Sequence, residues 1–99
     1  MSEEGDAIRL ERRGHRGRYV MPLPDGDSAE LTFVESGPGH IIADHSWVPP
    51  RHRGRGLAAR LVARMVDDAR QEGLKVTPLC RYVAMEFRRH PGYCDVLKA

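Results

Sequence analysis

The six residues Arg51, His52, Arg53, Gly54, Arg55 and Gly56 concentrate three guanidiniums, an imidazole and two glycines in one short stretch. The segment before it, Val48-Pro49-Pro50, ends an apolar run, and Leu57 opens a stretch with helical period. A strand, a glycine-rich loop and a helix start therefore meet at one point. The first amides of a helix have no partners within it and lie at the positive end of its dipole, which makes such an end a site for phosphate. Glycines let the backbone approach a ligand and take unusual dihedrals, and arginines add charge-assisted bonds to phosphate oxygens. Three arginines and a histidine at a helix start oppose the dipole, an arrangement that makes sense if an anion is bound there. The stretch is not a P-loop, since no Gly-Lys dipeptide occurs. It also departs from the dinucleotide fingerprint, because the third glycine position is Ala59 and the upstream pattern is a meander.

Cys80 follows one predicted element and opens another. A thiol at a helix start beside Arg81 has the surroundings of a reactive cysteine; the competing role is that of a small buried hydrophobe. Cys94 lacks these features and reads as structural. Neither cysteine has metal-ligand spacing, and no metal site is expected.

The elements that position these groups follow from period and punctuation. Ile8 and Leu10 alternate with Arg9 and Glu11 as a first strand, residues 14–17 read as a turn, and Tyr19-Val20-Met21 as a short apolar strand. Residues 29–35 and 40–48 alternate as further strands around the break at 36–39, and Pro49-Pro50 ends the last of them. Leu57, Leu61, Met65 and Ala69 form an i, i+4 stripe that predicts an amphipathic helix over 56–72, closed by Gly73. A strand over 74–79, a helix over 81–89 and a tail with room for a last strand over 93–99 complete the chain. The layout is α+β: an antiparallel meander, then a helix, a strand parallel to the fourth, and a second helix. The strand–helix–strand unit is expected to be a right-handed crossover.

At 99 residues, 40% of them hydrophobic and 30% charged, the sequence reads as one folded domain over 1–99, with 1–6 as a flexible polar tail. No apolar run is long enough to suggest a membrane span, and the acidic start does not resemble a secretory signal, so the expected compartment is the cytoplasm and no membrane partner is expected. The net charge of +2 does not argue for nucleic acid. Asp67, Asp68 and Glu72 interrupt the basic face and no aromatic platform for bases accompanies it.

The spacing Arg51-x-x-Gly54-x-Gly56 between a strand and a long helix resembles the acetyl-CoA motif of the GNAT (N-acetyltransferase) superfamily. The likeness continues through His45-x-x-Val48-Pro49, Gly73-x-x-Val76-x-Pro78-x-Cys80-x-Tyr82-Val83 and Arg89-His90-Pro91-x-Tyr93. It is closest to the minimal single-domain branch, tightly over 40–97 and loosely over the N-terminal strands. The resemblance implies a GNAT-like fold that binds acetyl-CoA and releases coenzyme A after transfer to an amine on a small molecule or protein. It implies that amides from His52 to Leu57 hold the pyrophosphate, with Arg51, Arg53 and Arg55 nearby, while the splayed edge that includes Trp47 and Val48 pairs with pantetheine. It places Cys80 near the acetyl group and His45 as general base or water holder, a task that suits imidazole. Tyr82 or Tyr93 would protonate the departing thiolate. Direct attack by the amine and an acyl-Cys80 intermediate both remain open, as does a non-catalytic acyl-CoA binder. The helices that cover the acceptor site in larger relatives have no counterpart.

Overall fold

Strands form where apolar and charged residues alternate, and helices where the apolar period lengthens. The computed structural model describes residues 7–98; the tail expected over 1–6 lies outside them. The elements in order are β1 (Arg9–Arg13), β2 (Arg16–Pro22), β3 (Ser28–Glu35), β4 (His40–Trp47), α1 (Leu57–Glu72), β5 (Lys75–Pro78) and α2 (Arg81–Arg89). The strands make one sheet in the order β1-β2-β3-β4-β5. The first four run antiparallel and β5 lies parallel to β4. This is the α+β layout that the sequence predicts, with β5 parallel to β4.

One side of the sheet presents Tyr19, Met21, Leu31, Phe33, Ile41, Ala43 and Val76 to a core completed by Leu61, Val62, Met65, Val66 and Ala69 of α1 and Val83 and Phe87 of α2. The i, i+4 stripe of α1 is its buried face, and Gly73 closes that helix in the left-handed conformation. Tyr19 donates to Asp68 at 2.9 Å, and Arg64 reaches both Asp68 and the carbonyl of Ile8, tying α1 to the entry of β1.

Two boundaries differ from the sequence reading. Arg16 and Gly17 belong to β2 rather than to a turn. Gly17 lies under the Phe33 ring, and a Cβ there would collide with that ring. The glycine is a packing residue that looks like punctuation. At the C-terminus the last element is not a full strand. Pro91–Val96 form 3-10 turns, and Leu97 makes a single parallel bridge to Val76.

Two irregularities open the sheet beside the glycine-rich loop. The β3–β4 register passes from Phe33↔Ala43 to Thr32↔His45, so Asp44 and His45 form a bulge. On the other side of β4, pairing with β5 stops at Ala43↔Pro78. The amides of Leu79 and Cys80 both fold back onto the carbonyl of Ala43, at 3.0 and 2.9 Å. Beyond that point β4 runs on without β5 beside it.

Candidate functional site

A cavity of about 590 Å³ occupies this opening, within the range usual for small-molecule sites. Ser46, Trp47 and Val48 form one wall, His52, Arg53, Gly54 and Gly56 of the loop with Leu57 and Ala58 of the helix start a second, and Tyr82 and Arg89 of α2 a third; Arg55 is not part of the lining. The loop is shaped by its own backbone. Pro50–His52 make a 3-10 turn, and the amides of His52 and Arg53 bond back to the carbonyls of Pro49 and Pro50. Gly54 and Gly56 then take φ of 85° and 76°, a conformation that disfavours any residue with a Cβ. Gly56 is the N-cap of α1, and the first bond of the helix runs from Arg60 N to the Gly56 carbonyl. The amides of Leu57, Ala58 and Ala59 therefore precede the first helical bond and have no partner inside the helix. The donors open to an anion lie later in the loop than an origin at His52 would place them.

The arginines divide. Arg53 donates to the Val48 carbonyl at 2.8 Å and lies over the Trp47 ring, at 5.0 Å from its centroid, so it reinforces the cavity wall. Trp47, 45% exposed, is pocket wall rather than core. Arg55 approaches Nδ1 of His52 at 3.3 Å. Arg51 is turned away onto Asp25 and Asp27, at 3.3 and 3.4 Å, and is not part of the lining. His52 is buried against Asp25. Asp25, Asp27 and His52 bring potential ligand atoms within 4.8 Å of one another, with the Arg51 guanidinium supplying positive charge at the same place.

The candidate catalytic residues are brought together only in part. Tyr82 lines the cavity. Its hydroxyl donates to Glu86 at 2.9 Å, and burial first, then the Glu86 carboxylate, push its pKa up to about 12. Cys80 is half-buried at the N-cap of α2, with Sγ 3.4 Å from Oγ of Ser46, the residue that reaches the cavity. His45 stands apart. The bulge sends its side chain to the face shared with Thr32, where it is exposed and outside the lining. Tyr93 packs on Phe87 and stacks on His90, away from the lining. Cys94 is exposed rather than structural, and both cysteines are free thiols.

Three participants were missed from sequence. Ser46 carries no signal beyond its place in the strand expected over 40–48. Arg89 was noticed only within the motif. Glu86, 1% exposed, accepts from Tyr82 and lies 3.1 Å from both Arg89 and His90. A carboxylate between Val83 and Phe87 on the apolar stripe of α2 was the signal that could have revealed it. Buried charges are kept where they are paired.

A five-stranded mixed sheet that splays after a bulge, with a positive-φ glycine loop opening a helix at the split, defines an acyltransferase-like fold of the N-acetyltransferase type. The family model for GCN5-related N-acetyl-transferases matches residues 18–96, and the chain belongs to that family. Among curated proteins it is similar to Protein NATD1 of Mus musculus, 30% identical over 90 residues that cover 90% of this chain and 82% of that one. Protein NATD1 of Homo sapiens is also 30% identical, with 90% and 80% covered. Among solved structures it resembles the NMR solution structure of a GCN5-like protein from Staphylococcus aureus. The TM-score is 0.69 at 21% identity, covering 92% of this chain and 88% of that one. No helix among the described residues is long and apolar enough to cross a membrane.

Proposed function

We propose that this protein binds acetyl-CoA in the cleft between β4 and α2 and transfers the acetyl group to an amine, releasing coenzyme A. The observation that carries the reading is the junction of an unpaired β4 edge with the Gly54–Gly56 helix start in one cavity. The amides of the first turn of α1 and the Arg55 guanidinium would take the pyrophosphate. The edge at Ser46 to Val48 would pair with the pantetheine amides as a strand would. Neither aspartate facing Arg51 lines the cavity; Arg55 does not line it either, and would reach the diphosphate from beside His52, which does.

At the reacting end, Ser46 and Cys80 lie where β4 and β5 part. Tyr82, at about 12, holds its proton roughly 3–4 units above a free thiol near 8.5. Turned from Glu86, its single O–H would stabilise a departing thiolate by donating a hydrogen bond, whereas complete proton transfer to it is uphill. Direct attack by the amine is the simpler course, and an acyl-Cys80 intermediate requires the thiol to turn from Ser46 toward the thioester. The exposed position of His45 and the Tyr82 bond to Glu86 favour a second reading, an acyl-CoA binder without turnover.

The test is a thermal-shift titration with acetyl-CoA, followed by thiol release against a panel of amines and intact-mass analysis. Stabilisation plus amine-dependent thiol release supports the transferase, and stabilisation without release supports the binder. An acetyl adduct on Cys80 consumed by amine supports the covalent route. No stabilisation by acetyl-CoA refutes both readings.

A further inference from the structure

Two carboxylates beside a loop built for an anion carry the wrong charge for that purpose, and their placement explains them. Asp25 and Asp27 sit in the turn between β2 and β3, which closes through bonds from Leu23 N to the Asp27 carbonyl (2.9 Å) and from Gly26 N to the Leu23 carbonyl (3.1 Å). The Asp27 amide donates to Asp25 Oδ1 at 3.1 Å, leaving Oδ2 aimed at the loop. There Oδ2 lies 2.8 Å from Nε2 of His52 and 3.3 Å from Nε of Arg51. His52 is only 7% exposed, so its ring is held by these partners rather than by solvent.

The other ring nitrogen, Nδ1, faces Arg55 at 3.3 Å. A guanidinium only donates, so a hydrogen bond at this contact requires Nδ1 to accept and to carry no proton. The ring proton is then on Nε2 and is donated to Asp25. The result is a carboxylate–imidazole–guanidinium chain whose last member stands at the helix start, while Arg51 is held by both aspartates.

We propose that Asp25 is a positioning residue for the cofactor's diphosphate: it fixes the Nε2–H form of His52, which in turn orients Arg55. The inference rests on the acetyl-CoA reading, because Arg55 is assigned to the diphosphate only there. The β2–β3 turn is thereby part of the binding apparatus, although neither it nor Arg55 lines the cavity, and His52 is the member of the chain that does.

The experiment combines a double-mutant cycle with a ligand-free measurement. Arg55→Ala should weaken acetyl-CoA binding about tenfold, the factor that 1.4 kcal/mol carries. Asp25→Ala should weaken it at least about threefold, and the double variant should bind no worse than Arg55→Ala alone, since both act through one contact. Asp25→Asn, whose amide oxygen can still accept from Nε2–H, should bind as the wild type does. Unchanged binding in Asp25→Ala, or additive losses in the double variant, overturns the proposal. Long-range ¹H–¹⁵N spectra of the unliganded wild type should show His52 with a bare Nδ1 and a protonated Nε2. A proton on Nδ1 overturns the proposal whatever the ligand data. If the wild type fails to bind acetyl-CoA while the spectra show the expected tautomer, the functional reading falls with the assignment of Arg55 to a diphosphate.

Discussion

Replacing Gly54 with valine tests whether the loop's backbone shape is a ligand requirement or only a folding one. Gly54 has φ of 85° and open space where a Cβ would be. The added Cβ therefore meets no protein atom, and the main cost is the conformational strain, ~1–2 kcal/mol for an L-residue held in the left-handed region. Gly14, in the β1–β2 turn, has φ of 61° and the same open surroundings, but it lies outside the cavity. Gly14→Val is thus a matched control for strain. Both variants should lose about 1–2 kcal/mol of stability, about 4–8 °C in Tm per kcal/mol for a chain of this size. Only the valine at 54 stands in the cavity wall, where we expect at least a tenfold loss of affinity. At acetyl-CoA set to a hundred times the wild-type Kd, wild type and Gly14→Val should each gain about 2.7 kcal/mol. Gly54→Val, at only ten times its own Kd, should gain about 1.4 kcal/mol. Differential scanning fluorimetry with and without ligand reads both quantities on the same sample. A ligand-induced gain in Gly54→Val equal to that of Gly14→Val would refute the assignment of this loop.

Gly17→Ala should destabilise by about 1–3 kcal/mol through overpacking against Phe33, measured by urea unfolding, and should leave the ligand-induced gain unchanged. All three tyrosines are raised above their ordinary value: Tyr19 by burial and Asp68, Tyr82 by burial and Glu86, Tyr93 by burial and Glu86. Their unfolded counterparts ionise near 10. The stability they contribute is thus complete below about pH 10 and is lost as pH rises through the folded values, about 12 for Tyr82. Absorbance at 295 nm should show no tyrosine ionising at its ordinary pH until the chain unfolds; a normal transition in the folded chain would contradict the burial assigned to these rings.

Much of the fold was legible because its signals are local. The stripe through Leu57, Leu61, Met65 and Ala69 can face only one way, and Pro49-Pro50 can only end a strand. The place of Gly54 and Gly56 at a helix start follows from the same periodicity. His45 was harder, because strand alternation predicts a side only while the register is unbroken. The bulge at Asp44 shifts the parity, so Ser46 takes the side that continues Ile41 and Ala43, while His45 joins Thr32. The partners of Arg51 were hidden for a related reason: charge beside a phosphate loop suggests a place near phosphate, but the aspartates it meets lie twenty-four or more residues earlier, in a turn where they look like solvated punctuation. Glu86 was visible as a charge on an apolar stripe, yet only tertiary contact shows that Tyr82, Arg89 and His90 answer it.

The cleft is made by pairing that does not happen. A strand edge with unmatched amides and carbonyls is a liability, since it can recruit any other strand, and the chain limits it by several local devices. Pro78 cannot donate to a ladder, so β5 ends opposite Ala43. The next two amides fold back on the Ala43 carbonyl and start α2 across the gap. Leu97 bridges to Val76, further from the split, so the C-terminal segment does not fill the gap. The open edge is thus reduced to Ser46, Trp47 and Val48, with Arg53 already bonded to the Val48 carbonyl. Three residues are too few to nucleate pairing with a foreign strand, but they suffice for a flexible ligand carrying its own amides. On the acetyl-CoA reading proposed above, the same shortness that guards against aggregation would suit a narrow, extended, amide-bearing ligand anchored by its anionic end at the start of α1.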